Sequence, residues 1–334
     1  MKICSNNAVS TPNRQRRALT LATALLPLTG SRAVFAQAYP SRQISVIVPY
    51  SAGAGVDPVA RLVSQKLAER LGQPVLVTNK TGAAGMIGAG FVAEAKPDGY
   101  TMLISASNDV AINQHLYKNI RYKAEKDFAP ITQLVQLPMV LVVHPSVAAK
   151  TVQELVGLAR SNPGKVTYSS PANGSLQHLC GARLQSLTGV KMQHIPNANL
   201  IVDLLAGRVD SAFLGAHNVA TYVRDGRLKA LGITSQKRSP VFQEVATMAE
   251  QGLPGLDMIQ WFGAYLPAGA PESIVRQLNQ ALVAIVNAPD VRDQLRSQGA
   301  EPVGSSPEAF AQFLKSEIER FGEIVKISGA TVDQ

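Results

Sequence analysis

Residues 44–67 read ISVIVPYSAGAGVDPVARLVSQKL, and this stretch decides the fold class. Residues 44–49 are a β-branched run, the pattern of a buried strand. A loop of small residues follows. Val59, Leu62, Val63 and Leu67 then recur at helical spacing. Asp57 is expected as the N-cap of this helix, Pro58 as its first residue and Gly72 as its stop. Strand, glycine-rich loop and helix in this order form the building unit of an α/β protein.

The unit recurs on both sides. Residues 74–78 (PVLVT) are expected as a strand, followed by a Gly/Ala loop and a helix through Ala95, and residues 101–105 (TMLIS) as a third strand. Residues 131–135 and 139–144 are both extended with no helix between them, which suggests a crossover into a second domain. There the alternation resumes. Strands are expected at 166–169, 191–195, 210–214 and 228–234, and helices at 177–187 and around 200–206. Residues 261–266 (WFGAYL) begin the return, and helices at 272–287, 289–297 and 307–328 end the chain. This gives two α/β lobes, each a mixed, mostly parallel sheet flanked by helices. Lobe 1 is 37–137 plus 258–334, and lobe 2 is 138–257. Two adjoining crossovers permit closure about a hinge.

The chain has 334 residues, of which 46% are hydrophobic and 16% charged, enough for a large core. Its net charge of +9 is concentrated at the start. Residues 1–36 carry Lys2, Arg14, Arg16, Arg17 and Arg32 and no acid, and without them 27 basic residues face 23 acidic ones. The rest are scattered without a basic stripe, so a nucleic-acid partner is not expected. Residues 18–28 are apolar but shorter than the roughly 20 residues that span a bilayer. With the arginines before them and Val34-Phe35-Ala36 after, residues 1–36 read as an export signal. Cleavage after Ala36 or Ala38, and export by the general or the twin-arginine route, both stay open. Cys4 lies in the signal, which leaves Cys180 without an intramolecular disulfide partner.

In open parallel sheets, ligands sit beyond the carboxyl ends of strands, where exposed N–H groups attract anions. Four small-residue loops qualify. The expected ligand contacts are Tyr50, Ser51, Ala52, Gly53, Ala54, Gly55 and Asp57 in the first loop, and Gly82, Ala83 and Gly85 in the second. Ser105 and Ser107 come from the third; Ser170, Asn173, Gly174, Ser175 and His178 come from the fourth and the helix after it. Each also has a structural reading: Asp57 and Ser175 as helix caps, His178 as a helix-end partner, Trp261 and Cys180 as core.

Enzyme readings find less support. Pro58 stands where a dinucleotide fingerprint needs its third glycine, and Thr78 and Asn79 stand where it needs an acid. There is no Walker lysine and no Gly-x-Ser-x-Gly elbow. The five histidines show no metal-binding spacing. No catalytic residue, metal or cofactor is expected.

At the same loops the sequence resembles the Bug-type solute receptors of tripartite tricarboxylate transporters. The stretches that carry the resemblance include VPYSAGAGVD (48–57), LGQPVLVTNKTGAAGMIGA (71–89), KPDGYTML (96–103), DFAPIT (127–132), NPGKVTYSSPANGSLQHL (162–179), TSQKRSP (234–240) and PAGAPESIV (267–275). The resemblance implies a two-lobed Venus flytrap fold, the type II periplasmic-binding-protein class. It also implies a periplasmic receptor that captures a small organic anion for the membrane subunits of a transporter. A monomer is expected. The alternative is a ligand-dependent partner of a membrane sensor. The chain departs from the family pattern at Asn197-Ala198-Asn199, at Phe213-Leu214-Gly215, at Ser51 and Ala54, and at Ala84 and Met86. An altered ligand or weaker binding is therefore expected, centred on loops 197–199 and 214–217.

Overall fold

The computed structural model describes residues 39–53 and 55–332. The expected export signal at residues 1–36, with Cys4 in it, and Ala54 lie outside the described residues. In chain order the elements are β1 (Ile44–Val48), α1 (Asp57–Leu71), β2 (Val75–Asn79), a 3₁₀ turn (Ala83–Gly85), α2 (Met86–Ala93), β3 (Thr101–Ala106), a π turn (Asn108–Ile112), α3 (Asn113–Leu116), α4 (Ala124–Asp127) and β4 (Phe128–Val143). Next come α5 (Val152–Ser161), β5 (Thr167–Ser170), α6 (Leu176–Thr188), β6 (Gln193–Pro196), α7 (Leu200–Leu205), β7 (Ser211–Gly215), α8 (Ala216–Arg224) and β8 (Lys229–Ile233). The chain closes with β9 (Ile259–Pro267), α9 (Glu272–Val286), α10 (Pro289–Ser297), β10 (Glu301–Pro302) and α11 (Pro307–Ser328).

The expected elements lie within a few residues of these, and α3, α4, α5, α8 and β10 are additional. Residues 131–135 and 139–144 are not two runs. They belong to one 16-residue strand, β4, whose irregularities fall between Pro130 and Thr132 and between Gln133 and Val135. Gly72 ends α1 in the left-handed conformation, with its N–H on the Ala68 carbonyl. Asp57 is not the cap expected of it. Val56 already has helical angles (φ −72°, ψ −28°), so Asp57 is the first residue of α1 and its side chain is free for other partners.

Two sheets meet on β4. The first runs β2-β1-β3-β9-β4 with β10 beyond, and in the second β4 pairs with β7 and β8, and β7 with β5-β6. The parallel pairs are β1 with β2 and β3, and β5 with β6 and β7. Among the described strands every antiparallel pair involves β4 or β9. β4 changes sheets at one step: Pro138 is opposite Ile259 in the first sheet, and Met139 is opposite Gly215 in the second.

Strand directions then decide where the loops go. β9 is antiparallel to both β3 and β4, so β4 runs the same way as β1, β2 and β3. β7 is antiparallel to β4, so β5, β6 and β7 run back toward the first sheet. The carboxyl ends of the two parallel sets therefore point toward the junction from opposite sides.

Three apolar cores support this arrangement. One packs α1, α9 and α10 on one face of the first sheet, and another packs α7 and α8 on one face of the second. The third runs beneath both, from Ile47 and Leu103 through Phe310, Leu314 and Phe321 of α11 to Leu141, Leu179 and Phe213. Trp261 belongs to it. The ring is fully buried and its Nε1 donates to Glu317 Oε2 at 2.9 Å, which satisfies the polar end that a buried indole must place. Cys180 is buried on the inner face of α6, where burial pushes its thiol far above the ordinary range and leaves it inert.

Candidate functional site

The loop after β1 is shaped by Asp57. Its carboxylate, almost fully buried, accepts from Gly53 N (2.8 Å), Arg61 Nε (2.8 Å) and Asn79 Nδ2 (2.7 Å). Asn79 Nδ2 also donates to the Tyr50 carbonyl at 2.9 Å. Burial alone would raise the Asp57 pKa, but the Arg61, Gly53 and Asn79 donors outweigh it and hold the carboxyl below its ordinary value. Asp57 is thus committed to its own loop. Around it Ser51, Ala52, Gly53 and Gly55 are exposed, and the N–H groups of Ser51 and Ala52 donate to no described residue.

The loop after β2 is a left-handed turn. Gly82, Ala83, Ala84 and Gly85 all have positive φ (119°, 46°, 51° and 89°). Two alanines in this region cost on the order of 1–2 kcal/mol each, a cost that persists only where neighbours enforce it. Asn113 Nδ2 enforces it here by donating to the Ala84 carbonyl at 2.8 Å. Gly82 and Ala83 are exposed, and their N–H groups donate to no described residue.

The loop after β3 enters the π turn that carries Asp109. Tyr50 Oη donates to Asp109 Oδ1 at 3.0 Å, and Ala106 N donates to Oδ2 at 3.3 Å. Gly85 lies against the same carboxyl, since a Cβ there would stand 2.1 Å from Oδ1. Ser105 and Ser107, expected as ligand contacts, are fully buried, and their hydroxyls have no partner among the described residues.

On the other side of the junction, the loop after β5 leads into α6. Ser175 caps that helix by accepting from His178 N at 3.3 Å. His178 is buried, and its Nδ1 accepts from Gly174 N at 3.0 Å, so its ring is neutral with the proton on Nε2. The ring stacks on His194 with centroids 3.9 Å apart. Ser170 Oγ lies 2.9 Å from the Ala172 carbonyl and 2.7 Å from His194 Nε2. A carbonyl can only accept, so the serine proton goes to Ala172 and His194 donates to the serine oxygen. This serine–histidine pair therefore lacks a base aimed at its hydroxyl. Asn173 is exposed, and Gly174 packs on Leu116, whose Cδ1 would stand 2.4 Å from a Cβ at that position.

All four loops thus touch one short segment, Asn108–Leu116. The first reaches it through Tyr50, the second through Gly85 and Ala84, the third runs directly into it, and the fourth reaches it through Gly174. Asp109, Asn113 and Leu116 were not among the expected site residues. In SASNDVAINQHLY (105–117) an acid among small polar residues reads as an ordinary turn.

One cavity of about 550 Å³ lies at the sheet junction, between Lys237 and Arg238 on one wall and Arg296 and Glu301 on the other, and it contains none of the expected residues. Another, of about 460 Å³, lies on the outer side of α2 and includes only Ala83 of them.

The histidine stack makes stability fall in acid. Burial lowers both rings, and neighbouring His178 lowers His194 further, to about 4. A depressed folded-state pKa contributes stability above the unfolded value near 6.5, and that contribution is lost as pH falls toward 4. For the half-buried His194 about 2 kcal/mol is expected after allowing for solvent screening. His194→Gln, which keeps a donor to Ser170, is expected to flatten the fall in melting temperature between pH 6.5 and 4. An unchanged slope would contradict this.

The profile of a family described as the tripartite tricarboxylate transporter family receptor matches residues 59–330. Protein BugT of Bordetella pertussis is 35% identical over 301 residues, covering 89% of this chain and 92% of its own. Among solved structures, an R. palustris protein solved with adipate is 32% identical with a TM-score of 0.77, covering 88% of this chain and 99% of that one. MatC from Rhodopseudomonas palustris, solved with bound malate, is 31% identical with a TM-score of 0.73, covering 86% and 100%.

Proposed function

Because the chain belongs to the tripartite tricarboxylate transporter receptor family, we propose that it captures a small organic carboxylate between its two sheets and presents it to the membrane subunits of such a transporter. It is a Bug-type periplasmic receptor with a two-lobed binding-protein fold. The lobes divide at 137/138, one residue before β4 changes sheets, and at 257/258, where the chain returns. It carries out binding and no chemistry, and acts as a monomer.

The observation that supports the site most is the convergence of four strand-end loops on Asn108–Leu116. Two of these loops lead into the N-termini of α1 and α6, and the second is an exposed left-handed turn. Each presents backbone N–H groups or the positive end of a helix dipole, which favour an anion. Ser51–Gly55, Gly82–Gly85 and Ser170–Ser175 are the proposed contacts. Asp57 and His178 shape these loops without touching the ligand. Charge-assisted hydrogen bonds contribute roughly 1.5–3 kcal/mol each. Three or four of them, less the cost of ordering, reach about micromolar affinity without a buried arginine.

The solved relatives hold adipate and malate, so a panel of such acids is the direct probe. Thermal unfolding is measured with each acid and with its neutral diamide. A true ligand at about 100 times its dissociation constant adds about 2.7 kcal/mol, which raises the melting temperature by several degrees. The diamide is expected to leave it unchanged. Equal shifts with acid and diamide, or none with any acid, would overturn the proposal. The altered wall is Asn197, whose N–H donates to the Ser170 carbonyl at 2.8 Å, together with buried Leu214 and Gly215. It supports a preference within the panel that differs from that of the relatives.

A further inference from the structure

We propose that Asp109 is the positioning residue of the anion cradle: as an uncharged carboxylic acid it ties three loops of the first sheet together, and its ionisation in alkaline solution weakens the hold on an anionic ligand. This rests on the carboxylate-binding reading above and adds a regulation of that same site.

The geometry is specific. Asp109 is fully buried, yet it is touched by every loop at the carboxyl end of the first sheet. Tyr50 of the first loop donates to Oδ1, Gly85 of the second packs on the carboxyl group, and Ala106 at the end of β3 donates to Oδ2. The backbone joins in, since Tyr122 Oη donates to the Asp109 carbonyl at 2.6 Å. The titratable groups facing it are three phenols: Tyr50 from the first loop, Tyr122 from the segment before α4, and Tyr265 from β9. No lysine, arginine or histidine among the described residues bonds to it.

A carboxylate sealed among phenols and peptide groups has no cation to offset its charge, so it stays protonated. Burial pushes its pKa up to about 8, against the lowering effects of the Tyr50 and Ala106 donors. In that form it adds no negative charge behind loops that receive an anion. Ionised, it would oppose the ligand through the thin Gly85 backbone. Glycine permits this close approach, because any side chain at position 85 would occupy the space of the carboxyl oxygen.

The same burial gives a readout that needs no ligand. A folded-state pKa above the unfolded value of about 3.9 makes the folded protein the better proton binder between those two values. Stability from this group is therefore complete below pH 4 and is lost as pH rises to about 8.

The test compares the wild type with Asp109→Asn, which is uncharged at every pH and can still bond to Tyr50 and Ala106. Calorimetric titration with adipate and with malate is run at pH 6.5, 8 and 9.5, and thermal unfolding without ligand from pH 4 to 9. The wild type is expected to lose at least tenfold in affinity between pH 6.5 and 9.5, and the variant less than threefold. The unfolding temperature of the variant is expected to gain on that of the wild type as pH rises from 4 to 8. An equal affinity loss in both proteins, or none in the wild type, overturns the proposal. So does a constant deficit of the variant at all pH values, which is what a purely structural role would give. If neither acid binds at any pH, the carboxylate reading fails for these acids, and the ligand-free curves still decide the ionisation of Asp109: parallel curves overturn it.

Discussion

Gly85→Ala is expected to destabilise the protein by about 2–5 kcal/mol and to lower ligand affinity at least 100-fold. Two effects add at this position. The backbone has φ +89°, where an alanine is strained by about 1–2 kcal/mol, and the new Cβ would stand 2.1 Å from Asp109 Oδ1 and 2.9 Å from its Cγ. The carboxyl cannot simply swing aside, because Tyr50 and Ala106 hold its two oxygens. Overpacking at a fixed neighbour costs a further 1–3 kcal/mol or more. Gly53→Ala is the control. Its φ of +77° carries similar strain, but nothing lies within 4 Å of the added carbon. Chemical denaturation of both variants checks the difference. Equal costs would mean that the Asp109 contact carries no weight.

Asp57→Ala is expected to cost about 2–4 kcal/mol and to weaken binding by roughly 10- to 100-fold. Three donors lose their acceptor at once: Gly53 N, Arg61 Nε and Asn79 Nδ2. A hydrogen bond to a charged group contributes about 1.5–3 kcal/mol, although exposed Arg61 turns to water and recovers part of its share. The loop of the first cradle then loses the tether at Gly53. Asp57→Asn keeps the shape and removes the charge, so it is expected to fall between wild type and alanine. The pH dependence is opposite to that of Asp109. A lowered folded-state pKa contributes stability above the ordinary carboxylate value, and this is lost as pH falls through the lowered one. Wild type and Asp57→Ala should therefore converge in acid. A gap that stays constant down to pH 3 would contradict the assigned charge state.

Much of the architecture was legible because local signals agree. The β-branched run at 44–49 and the helical spacing after Asp57 need no tertiary information. Ser175 and Gly72 are capping residues by chemistry and act as such in the structure. The two-sheet division follows from extended residues 131–135 and 139–144 with no helix between them, although these form one strand and not two. Pro138 looks like a break, but it stands where β4 leaves one sheet for the other.

The site was legible in its loops and obscure in its supports. Small residues after strands mark a place where backbone can meet a ligand. Nothing local in the sequence shows that Asp109 is buried, that Asn113 holds Ala84, or that Leu116 meets Gly174 across the junction. These are long-range facts. Asp57 shows the limit most clearly, because Asp-Pro before an apolar period is a sound cap signal. The helix starts one residue earlier, with Val56 as its cap and Asp57 as its first residue, and the carboxylate turns back to brace its own loop. Ala83 and Ala84 conceal their left-handed turn for the same reason, since alanine carries no sign of positive φ.

The most direct test is a crystal structure of the protein grown with adipate or malate. The account predicts the ligand carboxylate within hydrogen-bonding distance of backbone N–H groups from 51–55 or 82–85 on one side and from 170–175 on the other. A carboxylate seated instead beside Lys237 in the cavity between Arg238 and Arg296, with these loops empty, would contradict it.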